Sequence, residues 1–141
     1  MNIKCGIDII EIARVKESIE NFGQTFINKI YTEDEVAYCE SKGKQKYQHY
    51  AARFAAKEAA FKAISEILKD KYELTWKDYE VKIDQNGKPK INIHKLEKNK
   101  IESIDISISH CKQYAVANVV VLFNWLSFGD SSYKRFRREI I

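Results

Sequence analysis

The stretch Ala51-Ala52-Arg53-Phe54-Ala55-Ala56-Lys57-Glu58-Ala59-Ala60-Phe61-Lys62-Ala63-Ile64-Ser65-Glu66-Ile67-Leu68 decides how the chain reads. Alanine is the best helix former, and neither Gly nor Pro interrupts the run. One long helix is expected from about Tyr47 to Leu68. On both sides of it the apolar period becomes two. Downstream, Tyr79, Val81 and Ile83 alternate and lead into Asp84-Gln85-Asn86-Gly87. The Asn-Gly pair is a strong hairpin signal, and Ile91 and Ile93 continue beyond it. Ile104, Ile106 and Ile108 then alternate with Asp105, Ser107 and Ser109, and a turn near Cys111-Lys112-Gln113 opens a strand from Tyr114 to Phe123. Upstream, Ile3, Cys5, Ile7 and Ile9 alternate with Lys4, Gly6, Asp8 and Ile10 as an opening strand. From Glu11 the spacing of Ile12, Val15, Ile19 and Phe22 is helical, with Gly23 placed to end the helix. Thr32-Glu33-Asp34-Glu35 is a capping box that starts a second, short helix. The fold class is α+β, a mostly antiparallel sheet packed against one long helix.

The chain has 141 residues, of which 45% are hydrophobic, enough for one compact domain with a real core. That domain is expected over residues 1–123. Residues 124–141 form a basic, aromatic extension (Trp125, Phe128, Tyr133, Lys134, Arg135, Phe136, Arg137, Arg138) of no assigned structure. The net charge of +4 permits an anionic partner without choosing one. Three cysteines at wide spacing, with no CxxC, argue against a disulfide framework and for a reducing cytoplasm. No run approaches the roughly 20 apolar residues of a membrane span, and the opening reads as a strand rather than a signal peptide. The expectation is a cytoplasmic protein with no membrane association.

Several residues invite a chemical reading. On a helix, Glu58 lies about 40° from Phe54 and about 60° from Phe61, beside the apolar face, where a carboxylate needs a cation or a donor. Lys62, Arg53 or Lys57 can supply an ordinary ion pair. Asp8 ends a strand, and Asp8-Ile9-Ile10-Glu11 has the spacing of a capping box, so a helix cap is one reading. Together, Asp8 and Glu58 are equally two oxygen ligands for Mg²⁺, an ion that combines one or two carboxylates with phosphates and water. Arg53, Lys57 and Lys62 around Glu58 suit a metal-bound polyphosphate or, more plainly, a solvated helix face. His110 follows Ser107 and Ser109. A Ser/His nucleophile is one reading, a zinc site with Cys111 another, and a phosphate contact or a surface histidine the simpler pair.

Three segments together resemble the holo-acyl-carrier-protein synthase family. They are Gly6-Ile7-Asp8-Ile9-Ile10-Glu11-Ile12-Ala13-Arg14-Val15, Arg53-Phe54-Ala55-Ala56-Lys57-Glu58-Ala59-Ala60-Phe61-Lys62-Ala63 and Ile106-Ser107-Ile108-Ser109-His110. The first two are similar to the signature motifs of the 4′-phosphopantetheinyl transferase superfamily, and the likeness runs from about Met1 to Phe123. The resemblance implies transfer of phosphopantetheine from coenzyme A to a serine of an acyl carrier protein, for fatty acid biosynthesis. It implies Asp8 and Glu58 as Mg²⁺ ligands and Lys62 near the phosphates. It implies Arg53 and His110 near the nucleotide's 3′-phosphate, and Asn86-Gly87-Lys88-Pro89 over the adenine end. Arg14 would face the carrier, and the assembly would be a homotrimer with interfacial active sites.

In that chemistry the carrier serine attacks the β-phosphate and 3′,5′-ADP leaves. Glu58 is the candidate base, and Lys57 is expected to stabilise the leaving phosphate. Two features depart from the family. The exposed side of the first helix mixes Arg14 and Lys16 with Glu17 and Glu20, which weakens attraction to an acidic carrier or moves it toward Lys29. The tail extends past the usual end. A nucleic-acid-binding module, with the tail as its basic aromatic element, is the main rival, but +4 is mild and no recognised binding motif is present. The expectation is no nucleic acid partner.

Overall fold

A computed structural model describes residues 2–97 and 99–124. The expected extension at 124–141 therefore lies outside the described residues except for Asn124. The strands are β1 (Asn2–Glu11), β2 (Tyr79–Ile83), β3 (Pro89–Ile93), β4 (Ile101–His110) and β5 (Tyr114–Phe123). The helices are α1 (Ile12–Phe22), α2 (Gln24–Ile30), α3 (Glu33–Glu40) and α4 (Lys46–Ile64), with a 3₁₀ turn at Ser65–Ile67 after α4.

The antiparallel sheet is two sheets. One has the order β1-β5-β4, and β2 and β3 pair separately through the Asn86-Gly87 turn, where Gly87 takes φ 78°. The capping box forms as read: Thr32 accepts from the Glu35 amide while the Glu35 side chain accepts from the Thr32 amide.

Helix α4 crosses the inner face of the three-stranded sheet. Its buried face is nearly all alanine (Ala51, Ala52, Ala55, Ala56, Ala59, Ala60, Ala63), so it sits close to the strands. Gly6 makes this possible. A methyl group there would overlap the Ala59 carbonyl oxygen and stand 2.8 Å from the Ala63 amide nitrogen. The even-numbered residues of β1 therefore face α4. The alternation of Ile3, Ile7 and Ile9 belongs to the other face, where they are 56%, 60% and 64% exposed. A second apolar cluster, around Ile12, Val15, Ile27, Tyr31 and Tyr50, holds α1, α2 and α3 against the first half of α4.

Candidate active site

Asp8 is a strand residue. β1 continues past it to Glu11, which is the N-cap of α1 without a side-chain cap, so the capping reading of Asp8 falls. Two residues beyond Gly6 on the inward side, Asp8 meets α4 at Lys62, whose ammonium donates to Asp8 Oδ1 at 3.1 Å and to the Ile7 carbonyl at 3.0 Å.

Glu58 is half-buried beside Asp8. Burial first, and then the Asp8 charge, push its carboxyl above the usual carboxylate range, with Lys62 pulling the other way. The simple ion-pair reading of Glu58 also falls. Among the described residues no cation lies within 4 Å of it, because Lys62 is on Asp8 and Lys57 is on Glu35.

Two cavities meet at Glu58. One, of about 390 Å³, carries Asp8, Arg14, Ser18 and Phe54. The other, of about 560 Å³, has an aromatic wall of Phe61, Tyr72, Trp76 and Tyr79, with Lys29 and Lys71 among its lining residues. The Tyr79 hydroxyl is buried without a hydrogen-bond partner.

Lys57 is a correction to the sequence reading. It is fully buried, and its ammonium donates to Glu35 Oε1 at 2.7 Å, to the Trp76 carbonyl at 3.1 Å and to the Tyr79 carbonyl. Three donors on three acceptors leave none for a leaving phosphate. Glu35 in turn accepts from the Val81 amide at 3.0 Å, so the pair ties α3, α4 and β2 together. Burial lowers the Lys57 pKa and the Glu35 carboxylate opposes that shift.

Arg53 is 3% exposed, with its guanidinium 4.1 Å from the Tyr38 ring centroid and its Nε unpartnered. His110 lies near it, its ring centroid 6.1 Å from that of His49. Lys42 covers the Tyr38 ring at 4.6 Å, and the His49 ring meets Tyr38 at 5.5 Å. Sequence reasoning missed Lys42 and His49, although His49 stands four residues before Arg53 on one helix face. The five residues from Arg53 to Glu58 rise about 7.5 Å along α4, so this basic cluster and the carboxylate pair share one helix.

Other expected residues are placed differently. Asn86-Gly87-Lys88-Pro89 lines neither of these two cavities. Asp84 accepts from the Asn86 and Lys88 amides at 2.8 and 2.9 Å, and Lys88 pairs with Asp105 at 3.3 Å. Ser107 and Ser109 are exposed, and among the described residues neither bonds to His110.

Among the described residues no group of three His, Cys, Asp or Glu forms an all-protein metal cage. Two carboxylates that raise each other's proton affinity beside an open cavity still fit a Mg²⁺ whose remaining ligands are water and substrate phosphate.

Residues 4–119 match the family model described as the 4′-phosphopantetheinyl transferase superfamily. A holo-[acyl-carrier-protein] synthase of Ruminiclostridium cellulolyticum is 41% identical over 136 residues, 93% of this chain and 96% of that protein. One of Thermodesulfovibrio yellowstonii is 43% identical over 116 residues, 82% and 95% of the two chains. The crystal structure of the Bacillus anthracis holo-(acyl-carrier-protein) synthase in complex with CoA (3′,5′-ADP) superposes with a TM-score of 0.67 at 35% identity, covering 84% of this chain and 94% of that one. The Helicobacter pylori enzyme in complex with coenzyme A gives 0.71 at 30% identity, covering 84% and 99%.

Proposed function

The chain belongs to the 4′-phosphopantetheinyl transferase superfamily, and on that footing we propose that it transfers the 4′-phosphopantetheine arm of coenzyme A to a serine of an apo acyl carrier protein. The observation that carries this reading is the arrangement along α4. A carboxylate pair, Asp8 and Glu58, opens on two cavities, and a basic cluster without a carboxylate partner stands five residues earlier.

The carrier serine oxygen forms a bond to the β-phosphorus, and the bond from that phosphorus to the bridging oxygen breaks. The leaving oxygen keeps the electron pair and departs as 3′,5′-ADP. The serine proton passes to Glu58, whose raised proton affinity suits a base. Asp8 and Glu58 would hold Mg²⁺, which when bound neutralises charge on the pyrophosphate. Lys62, 50% exposed and already at Asp8, is within reach of the same oxygens. Arg53 and His110 take the 3′-phosphate. Arg14 lines the cavity on the Asp8 side and faces the incoming carrier, and the aromatic cavity accommodates the pantetheine arm.

The working assembly is a homotrimer with its active sites at the subunit interfaces. Ile3, Ile7, Ile9 and Val120 line the sheet face away from α4 and stay open to water in one chain, which marks that face for burial against further copies. The Asn86-Gly87-Lys88-Pro89 loop, away from the cavities of its own chain, then covers the adenine of an adjoining copy. No helix of the described residues is long and apolar enough to cross a membrane. We place the reaction in the cytoplasm, where the free thiols of Cys5, Cys39 and Cys111 persist.

The test is release of 3′,5′-ADP from coenzyme A. It should require an apo carrier and stop when the carrier's serine is replaced by alanine. Release without a carrier contradicts the reading.

A further inference from the structure

We propose that Lys42 and His49 complete, with Arg53 and His110, the binding site for the 3′-phosphate of coenzyme A, and that His49 takes up a proton as this dianion binds. The inference rests on the coenzyme A reading above.

The site draws on three parts of the fold. Tyr38 of α3 and Lys42 just after it form one wall, His49 and Arg53 of α4 the second, and His110 of β4 the third. The Tyr38 ring is the common floor. Lys42 stands 4.6 Å from its centroid, Arg53 4.1 Å, and the His49 ring 5.5 Å. The nearby carboxylate, Glu40, is committed elsewhere, accepting from the Tyr50 hydroxyl at 2.9 Å and pairing with Lys46 at 3.3 Å. Among the described residues no carboxylate lies within 4 Å of Lys42, Arg53, His49 or His110.

A guanidinium that is 97% out of water with an orphaned Nε carries a desolvation cost that a native structure normally offsets with a bound anion. Four basic groups converging on one ring are a place for a doubly charged one. A phosphate monoester carries about −1.5 to −2 charges at neutral pH and offers three strong acceptor oxygens.

His49 is the responsive member. Partial burial, then the charges of Arg53, Lys42 and His110, hold its pKa below the usual histidine value in the free protein. It is therefore neutral at pH 7 without ligand. A dianion reverses the local field and favours the imidazolium. Binding then takes up a proton, and affinity falls as pH rises between the free and bound pKa values of His49. Uptake of one proton corresponds to about a tenfold change in Kd per pH unit.

Calorimetric titration of the full chain with 3′,5′-ADP, from about pH 6 to pH 8.5 in two buffers of different ionisation heat, counts the protons. ADP, which lacks the 3′-phosphate, is the comparison ligand. The expected result is proton uptake with 3′,5′-ADP that falls by up to one proton in His49→Gln. Lys42→Met should bind 3′,5′-ADP about tenfold more weakly with the pH slope retained. ADP should respond to neither change. An NMR titration of the His49 ring in the unaltered protein should show its pKa rising on addition of 3′,5′-ADP, and this arm needs no variant to fold. Equal proton uptake in His49→Gln, an unmoved His49 pKa, or equal weakening of both ligands overturns the proposal. A carrier left unmodified by the unaltered enzyme would instead overturn the transferase reading, while the 3′,5′-ADP measurement still reports on the cluster.

Discussion

Gly6 and Ala59 touch backbone to backbone, and this contact brings Asp8 of β1 opposite Glu58 of α4. Any side chain at position 6 meets the Ala59 carbonyl, and neither backbone can yield as a flexible side chain does. Gly6→Ala should destabilise the fold by about 1–3 kcal/mol and lower transfer activity further than the loss of folded protein explains. Urea unfolding alongside activity per folded molecule checks both. An unchanged midpoint with full activity would mean that α4 tolerates a different seat on β1.

The buried pair Glu35–Lys57 makes a stability prediction. Glu35→Ala or Lys57→Ala strands one charge with no water access and should cost about 3–5 kcal/mol. Glu35→Leu with Lys57→Met removes both charges and should recover much of that loss, because burying two ions is itself expensive. Denaturant melts of the two single variants and the double variant form the check.

The open face of the sheet predicts the assembly. In β1 and β5, Ile3 pairs with Leu122, Ile7 with Asn118 and Ile9 with Val116, so an apolar surface continues across two strands. Ile7→Glu is exposed in the single chain and should barely change its stability, within about 0.5 kcal/mol. It should convert a trimer to monomers and abolish transfer. Sedimentation and circular dichroism separate loss of assembly from loss of fold.

Glu58 gives a pH prediction. Burial and the Asp8 charge raise its folded pKa above the unfolded value. Folding therefore takes up a proton in that window, and the stabilising contribution of the protonated form, present below the unfolded pKa, is lost as pH rises through the folded pKa. In the metal-free protein an NMR titration should find the Glu58 carboxyl above the usual carboxylate range, and Asp8→Asn should move it down. Mg²⁺ binds the folded state and should raise Tm near pH 7, with little effect in Asp8→Asn or Glu58→Gln.

Much of this was legible in the residue pattern where the signal is local. The Thr32–Glu35 capping box, the Asn86-Gly87 turn and the alanine-rich run of α4 each need only neighbours in sequence. What escaped depends on partners far along the chain. Alternation in β1 does not say which side is covered, and the isoleucine side turned out to be the open one. The short helix α2, only 7 residues after Gly23, has too few turns for a period to emerge. Lys57 read as a site cation because its carboxylate partner, Glu35, is 22 residues away. Asp8 and Glu58 were picked out from their spacing, but only the Gly6–Ala59 contact explains why they meet.

The most direct test of the account is the mass of an apo acyl carrier protein after incubation with this protein, coenzyme A and Mg²⁺. The carrier should gain about 340 Da, the phosphopantetheine group, in the complete reaction, and should gain nothing with Glu58→Gln or without a divalent metal. An unchanged mass with folded protein and several carriers would contradict the transferase reading. A full gain with folded Glu58→Gln would contradict the role given to the Asp8–Glu58 pair.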